Sequence, residues 1–268
     1  MMSDVEVARF ETDGFVCLRR AVPAEIVAQC RDRVWDEIVP TPDDPSTWTE
    51  PVVRVGGLAD PPFGAAATAP ALVNAYDRLV GVRRWVRPGG LGTFPVRFPH
   101  PADPGDTGWH LDGGFFVEGQ AWPFVNIASR GRGLLMLFLL TDVGPEDAPT
   151  RIKAGSHLDV PRYLAGYGER GRSVLEVCQA MDADGTLDAP HRASVEATGE
   201  AGDVYLCHPF LVHAAQRVRS DRPRVIAQPP LELVEPLRLD DTGTTPVEVA
   251  VRRGLGTLPL PGQQGRRE

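Results

Sequence analysis

From Leu91 onward the chain breaks into short apolar runs separated by Gly, Pro and Asp, and this texture limits the architecture more than any other feature. The runs are Gly92 to Phe98, Trp122 to Ile127, Leu134 to Thr141, Val195 to Thr198, Val204 to His208, Leu211 to Val218 and Arg224 to Ala227. Many short strands joined by turn residues predict a mainly β fold, a sandwich or barrel. The 28 glycines and 26 prolines favour the same loop-rich class over a helical bundle. One helical insertion, roughly Val160 to Met181, interrupts the strands.

Helices are expected ahead of that β region. Ile26, Cys30, Val34 and Ile38 recur every four residues after Pro23, the apolar stripe of an amphipathic helix, and Pro40 and Pro42 end it. A second helix runs from Pro70 through Leu79. Phe10 to Leu18 ends in a short strand-like run after the Asp13-Gly14 turn. Residues 40–69 read as one long loop, either a lid over a site or a surface excursion. The expectation is a single domain over 1–268: a helical part to about 90, a β core over 91–235, and a C-terminal tail over 236–268 that frays after Pro259.

Charge and cysteine usage exclude several roles. The balance of 28 basic to 36 acidic residues leaves a net charge of -8, which argues against nucleic acid or an anionic membrane as partner. The longest apolar run, Leu134 to Leu140, is too short to span a bilayer, and Met1 to Glu6 has no signal-peptide character. Cys17, Cys30, Cys178 and Cys207 form no C-x-x-C pair and read as reduced, buried thiols. A soluble, cytoplasmic protein acting on a small molecule fits these features.

The chemistry concentrates in Thr107-Gly-Trp-His-Leu-Asp-Gly-Gly-Phe115. In extended chain, residues i and i+2 leave the same face, so His110 and Asp112 can close on one ion. A later stretch, Leu206 to His213, offers His208 and His213 as a third ligand. Two imidazoles and one carboxylate on one side of a metal is the arrangement of non-haem Fe(II) oxygenases. Zn or Mn on the same ligands in an isomerase or hydrolase, or a binding module that has lost its metal, remain alternatives.

Two extended pieces flank the polar turn Arg219 to Arg222. Folded as a symmetric hairpin about residues 218 and 219, they bring His213 opposite Arg224, and directly opposed residues share a face. A 2-oxoglutarate-dependent iron enzyme needs such a cation for the distal carboxylate, and the planar guanidinium suits it. His213 is therefore the expected third ligand. His208, followed by Pro209 at a strand end, is expected beside the site or lining its pocket. His157 reads as a turn cap, and His100 and His191 as loop residues. Trp109, Phe115, Phe116 and Trp122 are expected in the core.

His110-x-Asp112, Ala154-Gly-Ser-His157, Gly202-Asp-Val204, His213 and Ser220-Asp-Arg-Pro-Arg224, in that order, resemble the phytanoyl-CoA dioxygenase-like (PhyH) family, as does Asp13-Gly-Phe-Val16 followed by a helix. The resemblance implies a double-stranded β-helix, or jelly-roll, core with flanking helices, and Fe(II), 2-oxoglutarate and O2. It implies His110, Asp112 and His213 as iron ligands and Arg224 as the carboxylate anchor. Arg97 falls where family members place a polar side chain near the cosubstrate. The chain departs from many relatives at Asp147-Ala-Pro-Thr150 and at Ala154, on the expected pocket edge, and carries no basic patch for a coenzyme A phosphate.

Overall fold

The computed structural model describes residues 2–260. The N-terminal part holds α1 (Asp4–Asp13), β1 (Phe15–Leu18), α2 (Ala24–Asp36), β2 (Val52–Gly56), α3 (Pro61–Ala67) and α4 (Pro70–Leu79). Next come β3 (Thr93–Arg97), β4 (Phe124–Val125), β5 (Leu134–Leu139), β6 (Thr150–Lys153), α5 (Val160–Leu164), β7 (Arg172–Ser173) and α6 (Val174–Ala183). The chain closes with β8 (Ser194–Ala197), β9 (Val204–Cys207), β10 (His213–Ala214), β11 (Ile226–Ala227), β12 (Pro230–Leu231) and α7 (Pro246–Gly254).

These strands build a jelly roll of two facing sheets. One has the order β1-β9-β5-β11, with β12 also on β5, and its β11 end meets β3 and β2 through an Arg97–Arg224 bridge. The other runs β10-β6-β8 and is extended by a His110–His213 bridge. From β3 the chain passes to the His110 segment, then β5, β6, β8, β9, β10 and β11, so it crosses repeatedly between the sheets.

Alternation along β5 divides the interior. Leu135, Leu137 and Leu139 meet Ile152 of β6, Ala197 of β8, Tyr205 and Cys207 of β9 and Ile226 of β11 in the space between the sheets. Met136 and Phe138 point the other way, into a second cluster with Phe10, Val27, Cys30, Val34, Leu72 and Leu79 of the helices. Each large apolar side chain buried there contributes about 1.5–3 kcal/mol, which fixes the helices on the outer face of the larger sheet. No helix of the described residues is long and apolar enough to cross a membrane.

Several expectations change. Residues 40–69 are not one loop: Val52-Val-Arg-Val55 pairs with β3 from Val52↔Arg97 to Gly56↔Thr93, and Pro61 starts α3. The helical insertion is split into α5 and α6 by the left-handed Gly166, Gly168 and Gly171. The segment over 236–260 carries α7, capped by Thr245 and Glu248, with Val247 and Val251 fully buried. Residues 261–268, within the expected fraying tail, lie outside the described residues.

The symmetric hairpin does not form. His213 pairs with Ile152 and His110, whereas Arg224 pairs with Arg97 in the other sheet. The turn between them is drawn onto the loop before β6: Arg219 and Ser220 donate their backbone N–H groups to Glu146 O, and Arg222 clasps Asp147.

His208 also departs from its expected place beside the metal donors. It is fully buried, packed on Phe10, Phe210 and His157, and its Nε2 donates to Val247 O of α7. His157, 5.0 Å from it ring to ring, donates Nε2–H to Glu11 O of α1. A Cβ at Gly14 (φ +83°) would lie 2.5 Å from His157 Nδ1, so only glycine ends α1 against this pair. Burial lowers both imidazoles, His208 to about 3 and His157 well below its usual value.

A group whose folded pKa lies below its unfolded one, near 6.5 for histidine, stabilises fully above that pH and loses its contribution as pH falls toward the folded value. Denaturant unfolding between about pH 7 and about pH 5 should therefore show stability declining with acid, by up to about 1.4 kcal/mol per pH unit for each buried histidine. His208→Gln should flatten that slope. An unchanged slope would contradict the neutral, buried state assigned to His208.

Candidate metal and anion site

His110 and His213 exchange both backbone hydrogen bonds, at 2.9 and 3.0 Å. Such a directly opposed pair projects from one face. His213 stands in register with Ile152, whose side chain lies between the sheets, so both imidazoles enter that space. Asp112, two residues on, joins them. The ring centroids are 4.4 Å apart, and Asp112 Oδ1 lies 3.9 Å from His213 Nε2. One donor atom from each of the three residues lies within 4.8 Å of the others, a group able to hold a metal ion.

The backbone selects the tautomers. His110 Nδ1 faces Gly108 O at 2.9 Å and His213 Nδ1 faces Leu211 O at 3.0 Å. A carbonyl only accepts, so each Nδ1 carries the proton and each Nε2 keeps its lone pair for an ion. Burial, reinforced by the neighbouring His110 imidazole and opposed by Asp112, lowers His213 to about 4, so it is neutral at neutral pH. Burial alone would raise Asp112; the Arg132 guanidinium and the two imidazoles outweigh it and hold the carboxyl below its usual range.

Arg132 carries no signal in the sequence, yet it sets the carboxylate. Its Nη1 donates to Asp112 Oδ2 at 3.0 Å and its Nη2 to Gly113 O at 3.1 Å, leaving Oδ1 toward the imidazoles. Close backbone approach brings it there. A Cβ on Gly114 would sit 2.0 Å from Arg130 O, and one on Gly113 would sit 2.4 Å from Pro123 Cβ. Only glycine lets the ligand strand and the 126–132 turn touch.

The opposing sheet repeats the device with cations. Arg97 and Arg224 exchange both backbone hydrogen bonds, at 2.9 and 2.8 Å, and Arg224 shares the face of Ile226, again between the sheets. Both side chains are buried. Arg224 donates to Ala148 O and Pro95 O, while Arg97 donates to Asp106 Oδ2 at 2.6 Å, an oxygen that Arg54 also contacts. Nε and Nη1 of Arg97 and Nε of Arg224 are buried with no acceptor among the described residues. Burial and the neighbouring Arg97 push the Arg224 pKa down, against Asp106. Of the two buried guanidiniums only Arg97 has a carboxylate partner, the partly exposed Asp106, so the site lacks negative charge and offers donors shaped for a carboxylate.

The aromatic residues divide. Trp109 packs against the Arg151 and Lys153 cations, at 4.9 and 4.7 Å from its ring, and Phe115 packs on Phe124. Phe116 and Trp122 are not core residues: they are 78% and 53% exposed, on the loop that leaves Asp112.

A model of the phytanoyl-CoA dioxygenase (PhyH) family matches residues 10–226. A search of curated proteins finds no match. Solved structures of similar fold include the epimerase SnoN from nogalamycin biosynthesis, in complex with Fe3+, alpha ketoglutarate and nogalamycin RO, at 20% identity over 84% of this chain and 81% of that one, TM-score 0.58. The alpha ketoglutarate dependent carbocyclase SnoK from the same biosynthesis is 21% identical over 87% and 84%, TM-score 0.54. HygX from Streptomyces hygroscopicus, with nickel and 2-oxoglutarate bound, is 20% identical over 85% and 86%, TM-score 0.52.

If Arg132 orients the donor carboxylate, Arg132→Ala should weaken Mn(II) binding by roughly tenfold to a hundredfold, the usual effect of removing a ligand's hydrogen-bond partner, with circular dichroism unchanged. Titration calorimetry reads the difference. Wild-type affinity in the variant would contradict the role.

Proposed function

The chain belongs to the phytanoyl-CoA dioxygenase family, and on that premise we propose that it is an Fe(II)- and 2-oxoglutarate-dependent oxygenase. The reaction is hydroxylation of an unactivated C–H bond in a small-molecule metabolite: substrate, 2-oxoglutarate and O2 give hydroxylated substrate, succinate and CO2. The observation that carries this reading is the pair of opposed pairs, two imidazoles beside Asp112 in one sheet and two guanidiniums with unpartnered buried nitrogens in the other.

The donors fit the group. His110 Nε2, His213 Nε2 and Asp112 Oδ1 would hold Fe(II), two nitrogens and one oxygen on one side, leaving other positions free. Arg224, with Arg97 beside it, would take the distal carboxylate of 2-oxoglutarate, since the buried N–H groups without acceptors suit a planar anion. When bound, iron and 2-oxoglutarate would activate O2, the oxidant for C–H cleavage.

The chain contributes order and dryness. Gly108 O and Leu211 O fix both imidazole tautomers, Arg132 keeps Asp112 Oδ2 engaged, and Leu135, Leu137 and Ile226 exclude water between the sheets. A Zn or Mn hydrolase on the same three ligands has no use for a buried guanidinium pair, which favours the oxygenase. The fold alone leaves the outcome open, since the similar structures include an epimerase and a carbocyclase. Four unpaired cysteines, three of them buried, suit a reducing, cytoplasmic setting.

Succinate release from 2-oxoglutarate by the Fe(II)-loaded protein tests the reading. His110→Ala and Asp112→Ala should abolish it while the fold is retained. Arg224→Ala should raise the 2-oxoglutarate requirement by roughly tenfold to a hundredfold, the loss of a charged hydrogen bond of ~1.5–3 kcal/mol. Full turnover in His110→Ala, or an unchanged requirement in Arg224→Ala, would contradict it.

A further inference from the structure

Asp106 lies on the segment that joins Arg97 of β3 to His110. Its Oδ2 accepts from Arg97 Nη2 at 2.6 Å and from Arg54 Nη2, and its Oδ1 is buried with no donor among the described residues. Two guanidiniums, and no backbone N–H or hydroxyl of the described residues, hold this carboxylate. Asp103, three residues earlier, differs: it accepts from Gly105 N and anchors its own turn. Arg54 reaches Asp106 by register. Val52 stands opposite Arg97 in the β2–β3 pair, and Arg54, two residues on, shares that face. Arg97 is buried, Asp106 partly exposed and Arg54 half exposed, so the row of charges leads from the interior toward solvent.

A carboxylate held by two guanidiniums and nothing else can be exchanged between them. Arg97 and Arg224 offer buried, unpartnered N–H groups to a dicarboxylate, but Asp106 sets a negative charge within hydrogen-bond distance of the same Arg97. Two carboxylates that share a desolvated cation repel each other. The charge of Asp106 also supports the charged form of Arg224 against burial and Arg97. We propose that Asp106 is an internal counter-ion that competes with the far carboxylate of the cosubstrate for Arg97, and that Arg54 keeps Asp106 paired when the dicarboxylate binds. Asp106 thus lowers the affinity of the anion site, and Arg54 restores part of it. The proposal rests on the oxygenase reading and adds a positioning residue that sets its cosubstrate requirement.

Calorimetric titration of the Mn(II)-loaded protein with 2-oxoglutarate tests this. Asp106→Asn keeps the shape of the side chain and removes its charge, and should tighten 2-oxoglutarate by roughly tenfold. A second probe, 2-oxopentanoate, keeps the keto-acid end and lacks the far carboxylate. It should bind Asp106→Asn and wild type alike, whereas a change in packing alone would move both ligands. Arg54→Ala should weaken 2-oxoglutarate by about threefold in the wild-type background and leave it unchanged beside Asp106→Asn. Weaker or unaltered 2-oxoglutarate binding in Asp106→Asn, or equal tightening of 2-oxopentanoate, would overturn the proposal and leave the oxygenase reading standing. Should Asp106→Asn fail to fold, wild-type or tighter affinity in Arg54→Ala would overturn it. Failure of the wild type to bind 2-oxoglutarate would instead remove the oxygenase reading, and the proposal with it.

Discussion

Everything at the centre of this molecule depends on two directly opposed residue pairs in antiparallel chain, each locked by two backbone hydrogen bonds. His110 and His213 form one, and Arg97 and Arg224 the other. Opposed residues must share a face, so the backbone alone decides that two imidazoles meet and that two guanidiniums meet. The two pairs occupy opposite sheets, and the jelly roll turns both inward.

The arrangement places polar and charged groups where packing would favour apolar ones. Two adjacent buried guanidiniums, of which only Arg97 has a carboxylate partner, are costly, because desolvated like charges are not fully compensated. The compensation is spread over the scaffold: Leu135, Leu137, Leu139 and Ile226 fill the rest of the space between the sheets, and α1 to α4 clamp the outer face of the larger one. The candidate metal donors are held differently. Both imidazoles are aimed by backbone carbonyls, burial keeps His213 neutral, and Asp112 has Arg132 as its counter-ion. One pair thus presents donors that could hold a cation and the other presents N–H groups suited to an anion.

Much of this was legible in the residues, for identifiable reasons. α2 and α4 announce themselves through four-residue apolar spacing, and His110-x-Asp112 through its two-residue period. α1 has a weak apolar stripe and α7 a short one, Val247, Ala250 and Val251, and both open with a readable capping box, Ser3 with Glu6 and Thr245 with Glu248. β6 is hidden because Arg151 and Lys153 face outward and leave only Thr150 and Ile152 to mark a strand. Spacing pairs His213 with Arg224 because it shows where two strands could pair, not what else competes for their edges. Here Ile152 and Arg97 win, and Glu146 and Asp147 hold the turn. Arg132 and Asp106 could not be foreseen, since each reaches its partner through loop geometry and leaves no periodic trace.

The most direct test is a crystal structure of the protein with Mn(II) and 2-oxoglutarate, grown without oxygen. The account requires the metal on His110, Asp112 and His213, with the far carboxylate of the cosubstrate between Arg224 and Arg97 and accepting from the nitrogens that now lack partners. A metal on those ligands with the dicarboxylate elsewhere, Arg97 still on Asp106 and Arg224 still on Ala148 O and Pro95 O, would contradict it.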